Sequence, residues 1–381
     1  MKNNKKSIIV QNHEENTVTD FYKYAFNYFR KKGVVADSKQ ISQYINQNSL
    51  ELISQVEFQP GCHCDLYRCP HCYGNGQTLM EGNLELRHYV RVLDEINGKV
   101  PLIQISGVKT EPLTSPIISE IICEIKKRDF GCGFHTKGYR LDSKIIELLT
   151  EDVKDKEAFI TFSIDANESN EYINTHDIDL SRKDASGNRA EDYFKIVVDN
   201  IKKLWEKRES KNSKLRINIA LLLFDENNSI EKLNKFIDLF GKYSDVIRFS
   251  IPQNTNSGVG TNLISEKTQL IKSLIRNFKD NRKVKILTAI DTDHNTFFNK
   301  CYAQLLQAVI DKAGNVFPCP QTALKEYSHL IYGNIKESRF SDIIHSQQKK
   351  IMKDLDVDKE LGCRICDRKD EDINIFIDRL L

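Results

Sequence analysis

Short apolar runs alternate with amphipathic stretches along most of this chain. The runs LISQVEFQ (52–59), PLIQISG (101–107), GCGFHT (131–136), AFITFSID (158–165), KLRINIALLLF (214–224) and DVIRFSI (245–251) are short and rich in β-branched and aromatic residues. That pattern predicts strands. Between and after them, Leu84–Ile96, SPIISEIICEIKKR (115–128), DSKIIELL (142–149), EDYFKIVVDNIKKLWEK (191–207), SIEKLNKFIDLF (229–240) and Lys267–Phe278 carry apolar residues at helical spacing. Six strand–helix repeats in this order predict an α/β fold, with a parallel sheet covered by helices. A further strand, VKILTAI (284–290), leads to VIDKAGNVFPCP (309–320), which predicts a hairpin turning at Lys312–Asn315. The chain ends with a helical stretch, INIFIDRLL. Residues 1–51 are polar, with helical pieces FYKYAFNYFRKK and SKQISQYINQ, and read as a solvated cap or a substrate-recognition arm. The polar segment Asn167–Arg189 reads as a lid or a mobile loop.

Composition narrows this picture only a little. With 381 residues the chain is long enough for one large domain with additions. Its 56 basic and 54 acidic residues leave a charge of +2, which argues against a strongly basic nucleic-acid surface. The first thirty residues lack an apolar signal core. The longest apolar run, Ile217–Phe224, is far too short to span a bilayer. No membrane or nucleic-acid partner is expected, and a cytoplasmic location is.

The cysteines carry the chemistry. Ten cysteines without an export signal favour metal binding or catalysis over disulfides. Cys123 and Cys132 stand alone and read as core thiols. Cys62, Cys64, Cys69 and Cys72 crowd the loop after the first strand, whereas Cys301, Cys319, Cys363 and Cys366 fall near the C-terminal end. The wide separation predicts two sites. The C-terminal set offers four thiolates, suited to zinc or an iron–sulfur cluster. The first set lies at the C-terminal end of a strand, where parallel α/β folds place their chemistry. A site there with an incomplete thiolate set keeps a position open for substrate. A zinc site using His63 or His71 with three cysteines is the plainer alternative, and a zinc-stapled binding protein without catalysis is the matching reading of the whole chain.

The run Cys69-Pro70-His71-Cys72-Tyr73 after a first strand resembles the cluster loop of radical S-adenosylmethionine (SAM) enzymes. The family spacing is CxxxCxxC. Here Cys64 leaves four residues before Cys69 and Cys62 leaves six, so Cys64 is the nearer third ligand. The resemblance implies a partial (β/α)6 barrel related to the TIM barrel. It implies a [4Fe–4S] cluster on Cys64, Cys69 and Cys72, whose open iron binds SAM. Reduction there yields methionine and a 5′-deoxyadenosyl radical. Ser106-Gly107-Val108-Lys109-Thr110-Glu111-Pro112 resembles the family's GGEP loop at its two ends, with the middle altered. Phe134-His135-Thr136-Lys137-Gly138 resembles its "TNG" ending, and Phe162-Ser163-Ile164-Asp165 its "SID" ending. By that likeness SAM contacts are expected from Ser106, Gly107, Glu111, Thr136, Ser163 and Asp165. Alternation puts Arg216 with Asn218, and Arg248 with Ser250, on common faces. Asn218 and Arg248 are the further candidates.

Cys301, twelve residues, Gly314, four residues and Cys319 fit the opening of the SPASM and twitch auxiliary-cluster domains. Tyr332-Gly333-Asn334-Ile335 echoes that family, and Cys363-Arg-Ile-Cys366 closes the set. Four cysteines imply a twitch-like region with a second, fully ligated [4Fe–4S] cluster. The expected organisation is an N-terminal helical extension (1–51), a barrel (52–295) and an auxiliary-cluster domain (296–381). The resemblance implies an oxidoreductase that abstracts hydrogen from a sugar-like or aminocyclitol-like substrate, with the auxiliary cluster conducting the electron. Maturation of a ribosomally made peptide, by cross-linking or epimerisation, is the enzymatic alternative. Either implies an electron donor such as a reductase, flavodoxin or ferredoxin.

Overall fold

The computed structural model describes residues 38–46, 50–128, 130–153, 156–184, 187–250, 267–287 and 300–355, and, further on, 357, 367, 370, 373–374, 376–378 and 381. Seven strands follow the expected order: β1 (Gln55–Gln59), β2 (Leu102–Ile105), β3 (Gly131–Thr136), β4 (Ala158–Ser163), β5 (Arg216–Leu222), β6 (Val246–Ser250) and β7 (Val284–Leu287). All seven run parallel, each beside its predecessor. The helices between them include α2 (Leu86–Ile96), α3 (Ile118–Lys127), α4 (Ser143–Leu149), α5 (Ser169–His176), α6 (Tyr193–Lys211), α7 (Ile230–Phe240) and α8 (Lys267–Phe278), preceded by α1 (Ser38–Asn46).

Alternation along the strands explains how the layers form. Val56, Phe58, Ile103, Ile105, Phe134, Ile160, Phe162, Ile217, Ile219, Ile247 and Phe249 are fully buried, in one core with Val92, Ile121, Val197 and Phe236 of the helices. Their neighbours one residue away face the other side of the sheet. That side is polar: Glu57 pairs in register with Gln104, His135 with Thr161, Thr161 with Asn218, and Arg248 with Lys285. The sheet thus has a polar face opposite the helix-covered apolar one.

The sheet does not end at β1. Strand β8 (Gln307–Asp311) lies parallel to β1, from Gln55 beside Gln307 to Gln59 beside Asp311. Strands β9 (Asn315–Phe317) and β10 (Gly333–Asn334) continue antiparallel, giving one open ten-stranded sheet. The hairpin read from VIDKAGNVFPCP is therefore β8–β9. Gly314 sits at its turn with φ +97, and a Cβ there would lie 2.9 Å from Asn334 Oδ1. A second small core joins Ile41 and Ile45 of α1 to Ala303, Leu305, Leu306, Ile373, Phe376 and Ile377. The helical piece FYKYAFNYFRKK lies outside the described residues.

The segment 167–189 departs from the expectation of a lid or mobile loop. It opens with α5, which ends beneath the cysteine loop. Arg68 N donates to His176 O at 3.1 Å and Asp179 N to Leu66 O at 3.0 Å. Tyr172, Ile178 and His176 are buried. A polar sequence misled here because the residues that anchor the segment are aromatic rings and backbone groups, not an apolar stripe.

Candidate cluster site

The cysteine loop leaves β1 and is held by the loop after β2. Glu111 N donates to His63 O at 2.8 Å, and Thr114 Oγ1 accepts from Cys62 N at 2.9 Å. Two turns shape the loop further: Tyr67 N donates to Cys64 O at 3.0 Å and Cys72 N to Cys69 O at 3.2 Å. Asp65, in the left-handed region at φ 50, accepts from Arg140 Nη2 at 2.9 Å and from Tyr139 Oη at 2.5 Å. The strand ends thus grip the loop from several sides.

Cys64, Cys69 and Cys72 share one electrostatic environment. Burial pushes the Cys64 thiol well above its usual value, and the neighbouring charges of Glu111, Cys72 and Cys69 add to this. Burial pushes Cys69 up to about 11, opposed chiefly by Lys137. Cys62 instead acts on Tyr89, whose hydroxyl burial has already pushed up. Among the described residues, the ligand atoms that lie within 4.8 Å of one another are those of Cys69, His71 and His176, while the charges of Cys69 and Cys72 act on Cys64.

The polar residues around them form a connected network. Glu111 is fully buried; its carboxylate accepts from Thr136 Oγ1 at 2.5 Å, Lys137 N at 2.8 Å and Leu113 N at 3.2 Å. Burial raises its pKa against those hydrogen bonds. Glu111 also caps the short helical turn Pro112–Thr114, and so ties the β2 loop to the end of β3. Gly138, at φ +83, then turns the chain away from the site. Asp165, also left-handed at φ 57, accepts from Leu222 N at 2.6 Å and faces Lys137 Nζ at 3.5 Å. His176 Nε2 donates to Ile164 O at 3.0 Å, which leaves Nδ1 as an acceptor. That Nδ1 lies 3.2 Å from Lys137 Nζ and 3.3 Å from Cys69 Sγ. Burial, with Lys137 and His71 adding, drives its pKa well below the usual histidine range, so the ring is neutral. His71 is likewise lowered to about 4 by burial, despite Asp165.

Other expected residues fall nearby but play local roles. Ser106 Oγ donates to Glu57 Oε1 at 2.5 Å, and Gly107 presses on Thr110, where a Cβ would lie 2.3 Å from its Oγ1. Ser163 lies beside Ala220 at the end of β4. Asn218 Nδ2 donates to Thr161 Oγ1 at 3.3 Å. Arg248 is beside Lys285 on the same polar face, while Arg216 pairs with Glu157 at 2.6 Å near the strand's start. A cavity of about 510 Å³ opens beside His71, between Asn167, Phe224, Asn227 and Lys232. Both amide atoms of Asn167 are buried there without a hydrogen-bond partner, and the His71 and Phe224 rings are 5.3 Å apart.

At the distal site, Cys301 and Cys319 both feel the charge of Asp370, and Cys301 acts on Cys319. Burial pushes Cys301 up to about 11, and burial, then Asp370, then Cys301 raise Cys319 further. Asn374 accepts from Tyr302 N at 2.6 Å and Ala303 N at 2.8 Å, fixing the chain beside Cys301. Cys363 and Cys366 lie outside the described residues.

Sequence reasoning did not single out Lys137 or His176. Lys137 carried a faint signal, since it stands where the "TNG" ending has asparagine. A lone histidine in a polar segment carried none.

Comparisons with known proteins agree with this geometry. Residues 301–367 match the model of SPASM, an iron–sulfur cluster-binding domain. No curated protein matches the chain. SuiB from Streptococcus suis bound to S-adenosylmethionine is similar at a TM-score of 0.57 and 14% identity, over 81% of this chain and 69% of that one. SuiB bound to its precursor peptide SuiA gives 0.55 at 14%, over 85% and 68%. Native anSMEcpe with bound AdoMet and Cp18Cys peptide gives 0.52 at 17%, over 83% and 87%. The fold, an open parallel sheet, is thus similar to that of SuiB and anSMEcpe, and a match to an iron–sulfur cluster-binding domain follows it in the chain. Among the described residues no helix is long and apolar enough to cross a membrane.

Proposed function

We propose that the protein is a radical SAM oxidoreductase. Cys64, Cys69 and Cys72 would hold a [4Fe–4S] cluster, and Cys301, Cys319, Cys363 and Cys366 a second one. The observation that carries this reading is the placement of Cys64, Cys69 and Cys72, each half-buried, on the loop that follows β1, with Lys137 one histidine ring away from Cys69. Thiolates are the ligands such clusters require, and three of them leave one iron open. Bound there, the first cluster supplies the electron that splits SAM into methionine and a 5′-deoxyadenosyl radical.

The chain's own residues bind and orient. Glu111 and Thr136 fix the loop after β2 against the end of β3, and Asp165 fixes the end of β4 against β5. The cavity beside His71 suits the nucleoside of SAM: two rings flank it, and the orphaned Asn167 amide offers one donor and one acceptor to a heterocycle. Asn218, with its buried Oδ1 unpartnered, and Arg248 lie on the polar inner face and would meet substrate.

For the substrate, the polar inner face favours a hydroxyl-rich or amino-bearing small molecule. Loss of one hydrogen atom to the deoxyadenosyl radical, one proton to solvent or a base and one electron to the distal cluster would amount to a two-electron oxidation. Peptide maturation is the second reading. It is favoured by the fold shared with SuiB and anSMEcpe, both solved with peptides bound. Anaerobic reconstitution should incorporate about eight irons with matching sulfide, the count for two four-iron clusters. Stoichiometric zinc without sulfide would overturn the proposal. Incubation with SAM, reductant and either aminocyclitols or peptides separates the two substrate readings by which one gains a new mass.

A further inference from the structure

Lys137 is a largely buried ammonium, its side chain 17% exposed, with a single carboxylate beside it. Taking an isolated ammonium out of water costs several kcal/mol unless opposite charge and hydrogen bonds compensate. Its one carboxylate, Asp165, stands 3.5 Å away, already accepts from Leu222 N at 2.6 Å and is within 4 Å of His71 and His176. Its other partner, His176 Nδ1, is a neutral acceptor. Tyr67 offers a ring face at 5.9 Å. His176 Nδ1 links the ammonium to the cysteine loop, lying 3.2 Å from Lys137 Nζ and 3.3 Å from Cys69 Sγ. One carboxylate shared with two histidines leaves the ammonium short of negative charge, which a thiolate-held cluster on this loop would supply.

The local backbone is built to deliver this side chain. Lys137 N is clamped on Glu111 at 2.8 Å, and Gly138 N donates to Thr136 Oγ1 at 2.9 Å. Gly138 O accepts from Asn200 Nδ2 at 2.9 Å. His176, itself pinned by the Ile164 carbonyl, holds the ammonium from the other side.

We propose that Lys137, steered by His176 and Asp165, is the buried counter-charge of the Cys64/Cys69/Cys72 centre, retaining the cluster and raising its reduction potential. This rests on the reading of that centre as a cluster site. Accepting one electron makes a thiolate-bound cluster more negative by one charge, and a fixed cation a few ångströms away favours that change. The charge is the active property, so arginine should serve and glutamine should not. Lys137 is a positioning residue here, with no contact to substrate implied.

The test uses the full-length chain, reconstituted anaerobically as wild type, Lys137→Gln and Lys137→Arg. Each is titrated with dithionite in the presence of redox mediators, and the reduced cluster is followed by electron paramagnetic resonance without substrate. Iron per chain and circular dichroism are recorded in parallel, and the distal cluster serves as an internal standard for folding. The expected result is that K137Q either shifts the first cluster to a more negative potential or loses about four of the eight irons, the complement of one four-iron cluster. K137R should stay close to the wild type in both respects. A folded K137Q chain with full iron and an unchanged potential would overturn the proposal. So would equal cluster loss in K137Q and K137R, since that is the signature of packing, not charge. Wild-type protein with iron at the distal site alone would instead contradict the cluster reading itself, an outcome the variants cannot mimic.

Discussion

At the residue scale, the site depends on a few side chains whose neighbours fix their roles. Cys64 shares its environment with Cys69 and Cys72, whereas Cys62 acts on Tyr89. Cys64→Ala should therefore lose about four irons on reconstitution, and Cys62→Ala should keep all of about eight. The reverse result would exchange the two. Gly138 is a second sensitive position. An alanine there would hold a left-handed φ of +83, with its Cβ 2.7 Å from Phe162 Cδ1 and Cε1. Gly138→Ala should destabilise by about 1–3 kcal/mol in a denaturant titration. Lys349 offers a pH test. It is fully buried, has no hydrogen-bond partner among the described residues, and burial lowers its pKa from 10.5 to about 7. The unfolded chain then binds this proton more readily than the folded one between those two values, so stability rises with pH across that window. The destabilisation is complete below about 7 and gone above 10.5. Lys349→Met should stabilise the protein at neutral and lower pH by roughly 2–4 kcal/mol and flatten that rise. An unchanged pH profile in the variant would show that Lys349 is compensated.

At the scale of elements, strand positions were legible and partnerships between distant segments were not. The runs AFITFSID and GCGFHT match β4 and β3 because apolar residues alternate with small or polar ones and the flanking helices have strong stripes. The pairing of β8 with β1 could not be read, because register between segments about 250 residues apart leaves no local trace. That pairing has a consequence. Residues Gln307–Asp311 cover the β1 edge, and Ala308 and Ile310 lie beside Val56 and Phe58 in the main core. A chain truncated after residue 299 would expose that edge and its apolar flank. It should be insoluble, or show lost near-ultraviolet dichroism and a broad unfolding transition. A soluble, cooperatively folding fragment would mean that the barrel stands without its C-terminal region. Segment 167–189 was misread for a related reason: α5 is anchored by Tyr172 and His176 against the cysteine loop, and neither shows a periodic pattern.

At the scale of the whole molecule, the cysteine spacing suggested two sites; the fold sets the first cysteine loop at the C-terminal end of β1, and the second set begins where the iron–sulfur cluster-binding domain match begins. The proposed ligands could be read from the sequence because thiolates at these spacings have few other uses. Lys137 and His176 could not, since they meet the cysteine loop only through three-dimensional proximity. The account stands or falls on SAM cleavage at the first site. The most direct measurement is 5′-deoxyadenosine released under reducing, anaerobic conditions from reconstituted wild type, Cys69→Ala and Cys319→Ala. The account predicts formation by the wild type, none by Cys69→Ala, and some by a folded Cys319→Ala chain, whose first site is untouched. Cleavage that persists in Cys69→Ala, or that is absent from a wild-type chain carrying its full iron and sulfide, would contradict it.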